Sequence, residues 1–341
     1  MSRPYALLRA GFPYLTTIGV RRNQNVTHPT DIAFGKNGEI YIVCQMHISQ
    51  NTGIVVLNIN DDCLDFFSLQ GSDFGQARFP ECILIDDNET LYISDSALHR
   101  ITLLSKKGEY ISHWGEFGSK EGQLNRPSGM SFDSTGNIYI SDTMNHRVQK
   151  FTKNGEFIGS IGGFGSKEGE MNMPFGIKID ELDYLYVADW RNDRIQKFDS
   201  DGKFVFSIGK SGNGLGEFNR PSGVDVDSDG DIYIADTMNN RVQLFNEKGR
   251  YVQRFLGDAT LSKSAVDLMQ VQSLPLRLRD TADLEDQKWL THPRTVKINS
   301  EGMMFVPDYH RYRVQIYKKE AYHLKESQLA PEQRSPKLKT V

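Results

Sequence analysis

The chain has 341 residues, a formal net charge of -4 at pH 7 and 38% hydrophobic residues, the ordinary composition of a globular protein. The slightly negative charge gives no general attraction to nucleic acid or to an anionic membrane. Its three cysteines match no zinc-type spacing and are too few for a disulfide framework. No secretory leader or 18-residue apolar run is apparent, so we expect a cytoplasmic protein without a membrane partner.

One proline recurs along the chain at a nearly constant interval. It stands at Pro29, Pro80, Pro127, Pro174, Pro221 and Pro293, so the intervals are 51, 47, 47, 47 and 72 residues. Each unit reads as four short strands, which in the third unit are GMSFD, NIYISD, RVQKFT and FIGSIG. Polar, glycine-containing turns such as STGN and KNGE separate them. Such repeats predict an all-β fold, a six-bladed β-propeller.

The two ends of the array complement each other. The sixth unit supplies only the strands TVKIN, MMFVP and RVQIYK, whereas FPYLTTIG at residues 12–19 aligns with the fourth strand of other units. We therefore predict that the N-terminal strand completes blade six and closes the ring. The propeller then spans residues 12–318, with a lead-in at 1–11 and a polar tail at 319–341.

The long interval between blades five and six holds an insertion at about residues 258–290. Helical spacing is found at Ala265, Leu268, Met269 and Gln272. Ser262 or Ser264 is a candidate cap for this helix, Pro275 ends it, and Asp280 is a candidate cap for a second short helix. The insertion is either a lid over the site or a surface decoration or oligomer contact.

The consensus Pro-x-Gly, followed by Gly-x-Ile-Tyr-x-x-Asp-x-x-Asn-x-Arg-Val/Ile-Gln-x-Phe, resembles the NHL repeat. The resemblance covers roughly residues 12–318 and is strongest in units three to five. It implies a propeller similar to those of gluconolactonases, strictosidine synthases and the peptide-amidating lyase, which are enzymes. Other NHL domains bind RNA or protein. SDSALHRI places His99 at a zinc-ligand position of the amidating lyase, but no histidine follows an inner-strand proline here.

The loops between the second and third strands and between blades lie on one face, which we call the top face. At the mouth of the channel the residues after the prolines are Thr30, Glu81, Ser128, Phe175, Ser222 and Arg294, and the next are Asp31, Cys82, Gly129, Gly176, Gly223 and Thr295. Blades three to five keep the glycine, so blades six, one and two form one atypical arc. We predict that Asp31, Glu81 and Arg294 lie close together there. The alternative is ordinary drift of the outer repeats.

The loop between the second and third strands changes in the same arc. Blades three to five share Asp-x-x-Asn-x-Arg, which we interpret as a structural turn. Blade six instead reads Asp308-Tyr309-His310-Arg311-Tyr312, and blade one has Cys44 at the Asp position. We predict that Arg311, Tyr312, Cys44 and Asp308 bind a ligand.

Histidines concentrate on the predicted top segments, at His28, His47, His99, His146, His292 and His310. We predict that His292, His310 and Tyr309 act with Asp31, Glu81 and Arg294 as catalytic groups. His28, His47 and His99 are candidate ligands of a divalent metal, zinc or calcium. The alternative is that they are ordinary loop residues.

The function that these residues favour is binding of a small, anionic or polar ligand in a pocket on the top face. Lyase or hydrolase chemistry is the expected reaction class, since the phosphate-loop and dinucleotide-binding motifs are missing from the sequence. The alternative is a non-catalytic scaffold for a protein or peptide partner. Nucleic-acid binding is not expected, because the top linkers mix charges of both signs.

Overall fold

The computed structural model describes residues 10–21, 24–45, 52–263, 265–267 and 284–321. Six four-stranded antiparallel sheets follow one another along these residues. The first strand of each sheet packs against the first strand of the next, and blade six packs against blade one, so the ring is closed. The prediction of a six-bladed β-propeller is therefore confirmed. None of the described helices is long and apolar enough to cross a membrane.

The strands match the repeat closely, and each inner strand except that of blade six begins at the recurring proline. Blade one comprises β5 (Pro29–Phe34), β6 (Ile40–Cys44), β7 (Gly53–Leu57) and β8 (Cys63–Ser68). Blade two comprises β9 (Pro80–Ile85), β10 (Leu91–Asp95), β11 (Arg100–Leu104) and β12 (Tyr110–Trp114). Blade three comprises β13 (Pro127–Phe132), β14 (Ile138–Asp142), β15 (Arg147–Phe151) and β16 (Phe157–Ile161).

The second half of the ring repeats this order. Blade four comprises β17 (Pro174–Ile179), β18 (Leu185–Asp189), β19 (Arg194–Phe198) and β20 (Phe204–Ile208). Blade five comprises β21 (Pro221–Val226), β22 (Ile232–Asp236), β23 (Arg241–Phe245) and β24 (Tyr251–Phe255). Blade six comprises β25 (Lys297–Ile298), β26 (Met303–Asp308), β27 (Arg313–Lys318) and the N-terminal β2 (Tyr14–Ile18).

The N-terminal strand closes the ring as predicted. In β2, Ile18 pairs with Val314 of β27, and Tyr14 pairs with Tyr317. A second short ladder joins β1 (Ala10–Gly11) to β28 (Glu320–Ala321), and a hairpin of β3 (Val20–Arg21) and β4 (Gln24–Asn25) follows β2. Residues from both ends of the array therefore belong to blade six. The N-terminal strand β2 pairs with the edge of β27 that would otherwise be exposed.

The insertion contains helix α1 (Leu284–Lys288) within the second predicted helix. At the first predicted helix, Ala265 N–H donates to Ser262 Oγ at 3.2 Å and to its carbonyl, so Ser262 is the cap. The predicted positions Leu268, Met269, Gln272, Pro275 and Asp280, and the alternative cap Ser264, lie outside the described residues.

A buried aspartate organises the top loop of each typical blade. In blade three, Asp142 Oδ2 accepts hydrogen bonds from Asn145 Nδ2 at 2.8 Å and Arg147 Nε at 2.9 Å. Asp142 Oδ1 accepts Asn125 N–H of the preceding linker at 2.6 Å. The same contacts recur around Asp189 and Asp236. This motif is structural, as interpreted, because it fastens each blade to the linker before it.

The glycines of blades three to five mark the closest approach of neighbouring inner strands. A Cβ on Gly129 would lie 2.4 Å from Phe175 O, and one on Gly223 would lie 2.6 Å from Thr295 Cα. No side chain fits at that distance. Blades one, two and six carry Asp31, Cys82 and Thr295 instead, and these side chains line the upper part of the channel.

Candidate functional site

An ion pair spans the mouth of the channel on the top face. Arg294 Nη2 of blade six donates to Glu81 Oε2 of blade two at 2.7 Å, and Ser96 Oγ donates to Glu81 Oε1 at 3.1 Å. The guanidinium also lies over the rings of Phe175, at 4.9 Å, and Tyr309, at 5.4 Å. The cavity that Glu81, Arg294 and Phe175 help to line is about 20 Å³, room for one water molecule. The upper channel is therefore capped.

Asp31 lies in the same cavity. Its Oδ1 is 3.3 Å from Lys297 Nζ, and its Oδ2 accepts Ile83 N–H at 3.0 Å. Burial opposes the charge of Lys297, but the negative groups around it, Asp31 first, raise its pKa. The structure thus places Asp31, Glu81 and Arg294 in the lining of one cavity, where Asp31 forms an ion pair with Lys297.

Three histidines and two tyrosines meet at the top of the seam between blades six and one. The ring of His310 lies 4.4 Å from that of His292 and 6.3 Å from that of His28. The ring of His28 lies 4.8 Å from that of Tyr309 and 4.7 Å from that of Tyr312. We call these five residues the histidine–tyrosine cluster. It adjoins the capped mouth, because Arg294 packs on Tyr309.

The cluster combines a proton acceptor with a proton donor. Burial, followed by the charges of His310 and Arg294, lowers the pKa of His292, so its imidazole is neutral at pH 7. Burial raises the pKa of Tyr309, so its phenol keeps its proton. Two buried nitrogens here, His292 Nδ1 and Arg294 Nε, have no hydrogen-bond partner among the described residues. Buried polar groups of this kind are uncommon and mark places where a ligand binds or strain is stored.

The four residues predicted to bind a ligand fall in different environments. Tyr312 is exposed within the cluster. Arg311 donates to Asp286 Oδ2 at 2.6 Å and to Thr291 Oγ1 at 3.2 Å, which ties the loop to the insertion. Asp308 is fully buried and holds Arg313 at 2.9 Å, like its counterparts in other blades. Cys44 lies in the core between blades six and one, where burial raises its pKa to about 12.

The predicted metal ligands that the structure describes, His28 and His99, have different neighbours. His28 belongs to the cluster, His47 lies outside the described residues, and His99 packs against Phe117 at 4.7 Å. His99 Nδ1 accepts Arg126 N–H at 3.1 Å, as His146 Nδ1 accepts Met173 N–H and Asp193 Oδ1 accepts Arg220 N–H. Since Asp193 accepts the equivalent backbone hydrogen bond in blade four, this contact of His99 is consistent with a structural role.

The described imidazoles of the cluster do not gather as a group of metal ligands would. Within the described part of the chain, the only three potential ligand atoms that gather within 4.8 Å belong to Asp227, Asp229 and Asp231. The imidazoles of the cluster do not meet that condition. The chemistry derived below therefore uses no metal.

Several residues near the mouth carry interactions that sequence reasoning did not single out. Lys297 neutralises Asp31, and Phe175 supports the guanidinium of Arg294. Phe175 could have been recognised as a departure from the repeat, since it stands where two blades have serine. Lys297 could not, since blade four also has a lysine, Lys178, at that position. Trp190 stands where blades three and five have threonine, and Arg220 lies 4.8 Å from its ring.

Comparisons with known families agree with the repeat and the fold. The NHL repeat family matches residues 124–151, and a family described as a 6-bladed beta-propeller matches residues 168–290. No curated protein matches the sequence.

Among solved structures, similar folds include a streptogramin B lyase, with 14% identity, a TM-score of 0.56, and coverage of 94% of this chain and 90% of that one. A catalytically inactive variant of virginiamycin B lyase from Staphylococcus aureus, solved with quinupristin, has 14% identity, a TM-score of 0.59, and coverage of 90% and 99%. A protein of unknown function from Bacteroides thetaiotaomicron has 15% identity, a TM-score of 0.61, and coverage of 91% and 76%. At these identities the likeness concerns the fold.

Proposed function

The chain is a six-bladed β-propeller with NHL repeats, and we propose that its histidine–tyrosine cluster binds a small anionic ligand and carries out acid–base chemistry on it. The observation that carries the proposal is the pair of unpartnered buried nitrogens, His292 Nδ1 and Arg294 Nε, beside the other rings of the cluster. A carboxylate or phosphate oxygen accepts a charge-assisted hydrogen bond from Arg294 Nε, and one from His292 Nδ1 in the tautomer that leaves Nε2 as the base.

The reaction class that suits these groups is elimination, as in a lyase. His292 takes a proton from the carbon beside the carboxylate, and the C–H electron pair forms the new double bond. The bond to the leaving oxygen breaks, and that oxygen takes the proton of Tyr309. Arg294 holds the carboxylate whose negative charge grows during the reaction. Hydrolysis uses the same groups with a water molecule as nucleophile. The streptogramin and virginiamycin B lyases of similar fold make lyase chemistry the first to assay.

Ligand binding is tested by calorimetry and by the imidazole proton resonances, with inorganic phosphate and a panel of hydroxycarboxylates as probes. The His310→Ala variant should lose most of the binding, because it removes the ring between His292 and His28. Met238→Ala is the matched control, since Met238 occupies the same position in blade five and is exposed. Equal binding by both variants, or no binding by the native protein, contradicts the proposal.

Chemistry is tested separately, by the ultraviolet absorbance of the conjugated double bond formed from bound hydroxycarboxylates. Tyr309→Phe removes only the phenolic proton and should abolish turnover while it retains binding. Turnover unchanged in Tyr309→Phe would exclude this residue as the acid.

A second candidate, a non-catalytic scaffold for a peptide or protein, is favoured by a different observation. Phe117 and Phe164 on the linkers of the top face are 65% and 71% exposed, each packed against a histidine, His99 or His146. Exposed aromatic side chains beside a capped channel are typical of a partner surface. A Phe117→Ser, Phe164→Ser double variant that loses a co-purifying partner, in a protein that binds none of the anions, would favour the scaffold.

A further inference from the structure

A cavity larger than the one in the upper channel lies among the described residues on the face opposite the histidine–tyrosine cluster. The turns between the first and second strands of blades three to six surround a basin of about 690 Å³, which we call the lower basin. Residues from Phe132 in blade three to Gly302 in blade six line it. Its volume is in the range of small-molecule sites, whereas the cavity in the upper channel holds one water molecule.

The lower basin has an excess of negative charge. Carboxylates outnumber ammonium groups among its lining residues by five to two. Two of the five are paired with lysines that do not line the basin, Asp133 with Lys150 at 2.8 Å and Asp180 with Lys197 at 3.9 Å. One of the two lining ammonium groups, Lys319 Nζ, contacts the carboxylates of Asp227, Asp229, at 3.0 Å, and Asp231, at 2.6 Å. Three carboxylates therefore share one positive charge. The other ammonium, Lys178 Nζ, is 2.8 Å from Asp225 Oδ1.

The fold does not require all of these carboxylates. Asp227 shapes its turn, because its Oδ1 accepts the N–H groups of Asp229 at 2.9 Å and Asp231 at 3.0 Å. At the positions of Asp229 and Asp231, the matching turn of blade three has Thr135 and Asn137. Asp229, which lines the basin, therefore adds a negative charge that the equivalent turn of blade three does without, whereas Asp231 lies behind the lining.

Apolar groups complete the lining. Phe132, Ile179 and Val226 lie beside the carboxylates, and Leu182 on the same wall is 76% exposed. A bare metal ion would leave this apolar surface and most of the volume unused. The combination fits a ligand that has both a positive charge and a hydrocarbon portion.

We propose that the lower basin binds an organic cation, an ammonium or guanidinium group on an apolar body. A concave surface lined by one sign of charge focuses the electrostatic potential and attracts the opposite charge. The hydrocarbon portion packs on Leu182 and the neighbouring apolar residues. A free alkylamine and a lysine or arginine side chain of a peptide share this chemistry.

Isothermal titration calorimetry with cadaverine tests the proposal, with pentanediol as the neutral ligand of similar shape. Asp229→Asn and Glu181→Gln should each weaken cadaverine binding by about two- to fivefold, the range for exposed charge pairs. Asp201→Asn is the matched control, since Asp201 lies in an identical Asp-Ser-Asp-Gly turn of blade four that does not line the basin.

A lysine tripeptide distinguishes the two sources of the ligand. If it binds more tightly than cadaverine, the ligand is a peptide side chain, and if cadaverine binds more tightly, the ligand is a free amine.

Lys319→Met gives a test in the opposite direction. Removing the ammonium of Lys319 leaves Asp227 and Asp229, which line the basin, for the added cation, so cadaverine should bind more tightly. If this variant does not fold, the difference in cadaverine affinity between Asp229→Asn and Asp201→Asn still tests the proposal.

Three outcomes overturn the proposal: no heat with cadaverine, equal binding of pentanediol, or equal affinity in the Asp229→Asn and Asp201→Asn variants. His310→Ala should leave cadaverine binding unchanged, which separates this site from the one on the top face.

Discussion

Gly176→Ala tests whether close contact of the inner strands holds the ring together. Gly176 lies in β17, and a Cβ built on it is 2.5 Å from Ser222 O and 2.9 Å from Gly223 Cα of blade five. Ordinary contact begins at 3.4 Å, so one strand must move by about 0.9 Å, the difference between 3.4 and 2.5 Å. Both neighbours are backbone atoms that no rotamer change can move. We expect a loss of about 3 kcal/mol, the upper part of the range for overpacking.

Urea unfolding followed by tryptophan fluorescence measures this loss. The control is Gly159→Ala in β16, where an added Cβ meets no atom within 4 Å. That change should be neutral or stabilise by about 0.5 to 1 kcal/mol, since alanine loses less backbone entropy than glycine on folding. If Gly176→Ala unfolds at the same urea concentration as Gly159→Ala, the close approach of the strands does not constrain the sequence.

Two further predictions concern buried charge. Asp236→Ala should destabilise the protein by about 3 to 5 kcal/mol, because it leaves the guanidinium of Arg241, a residue 3% exposed, without its carboxylate. Thermal unfolding measures this loss. Burial lowers the pKa of His99, His146 and His292, so the unfolded chain binds more protons than the folded one near pH 6. The melting temperature should therefore fall as the pH drops through about 6.5, the pKa of an unperturbed histidine. A constant melting temperature between pH 7.5 and about 5.5 would contradict this reading.

The fold could be predicted from sequence because its determinants are local and repeated. The turn residues, the inner-strand proline and the buried aspartate recur at the same interval, and counting strands was enough to assign β2 to blade six. In the insertion, the described contacts concern only Ser262 and α1, and the helical spacing predicted from Leu268 to Gln272 lies outside the described residues.

The site could be predicted only in part, because a position in the repeat does not tell how a side chain is enclosed. Atypical residues on the surface of the top loops, such as His310 and Tyr312, do meet at the seam. Asp308 and Cys44 occupy a position that is interior in every blade, so their side chains belong to the core or to the turn. Lys297 was not anticipated, since its pairing with Asp31 depends on two strands that are distant in sequence.

The ion pair over the channel is compatible with anion binding, because a ligand carboxylate can take the place of Glu81. Arg294 then exchanges one carboxylate for another, and its guanidinium is never left buried without a partner. Ser96 holds Glu81 on the side away from Arg294, so the displaced carboxylate keeps a hydrogen bond. Glu81→Gln removes the competing charge and should tighten anion binding in calorimetry. Weaker binding in Glu81→Gln would mean that Glu81 supports the site, and that the ligand does not replace it at Arg294.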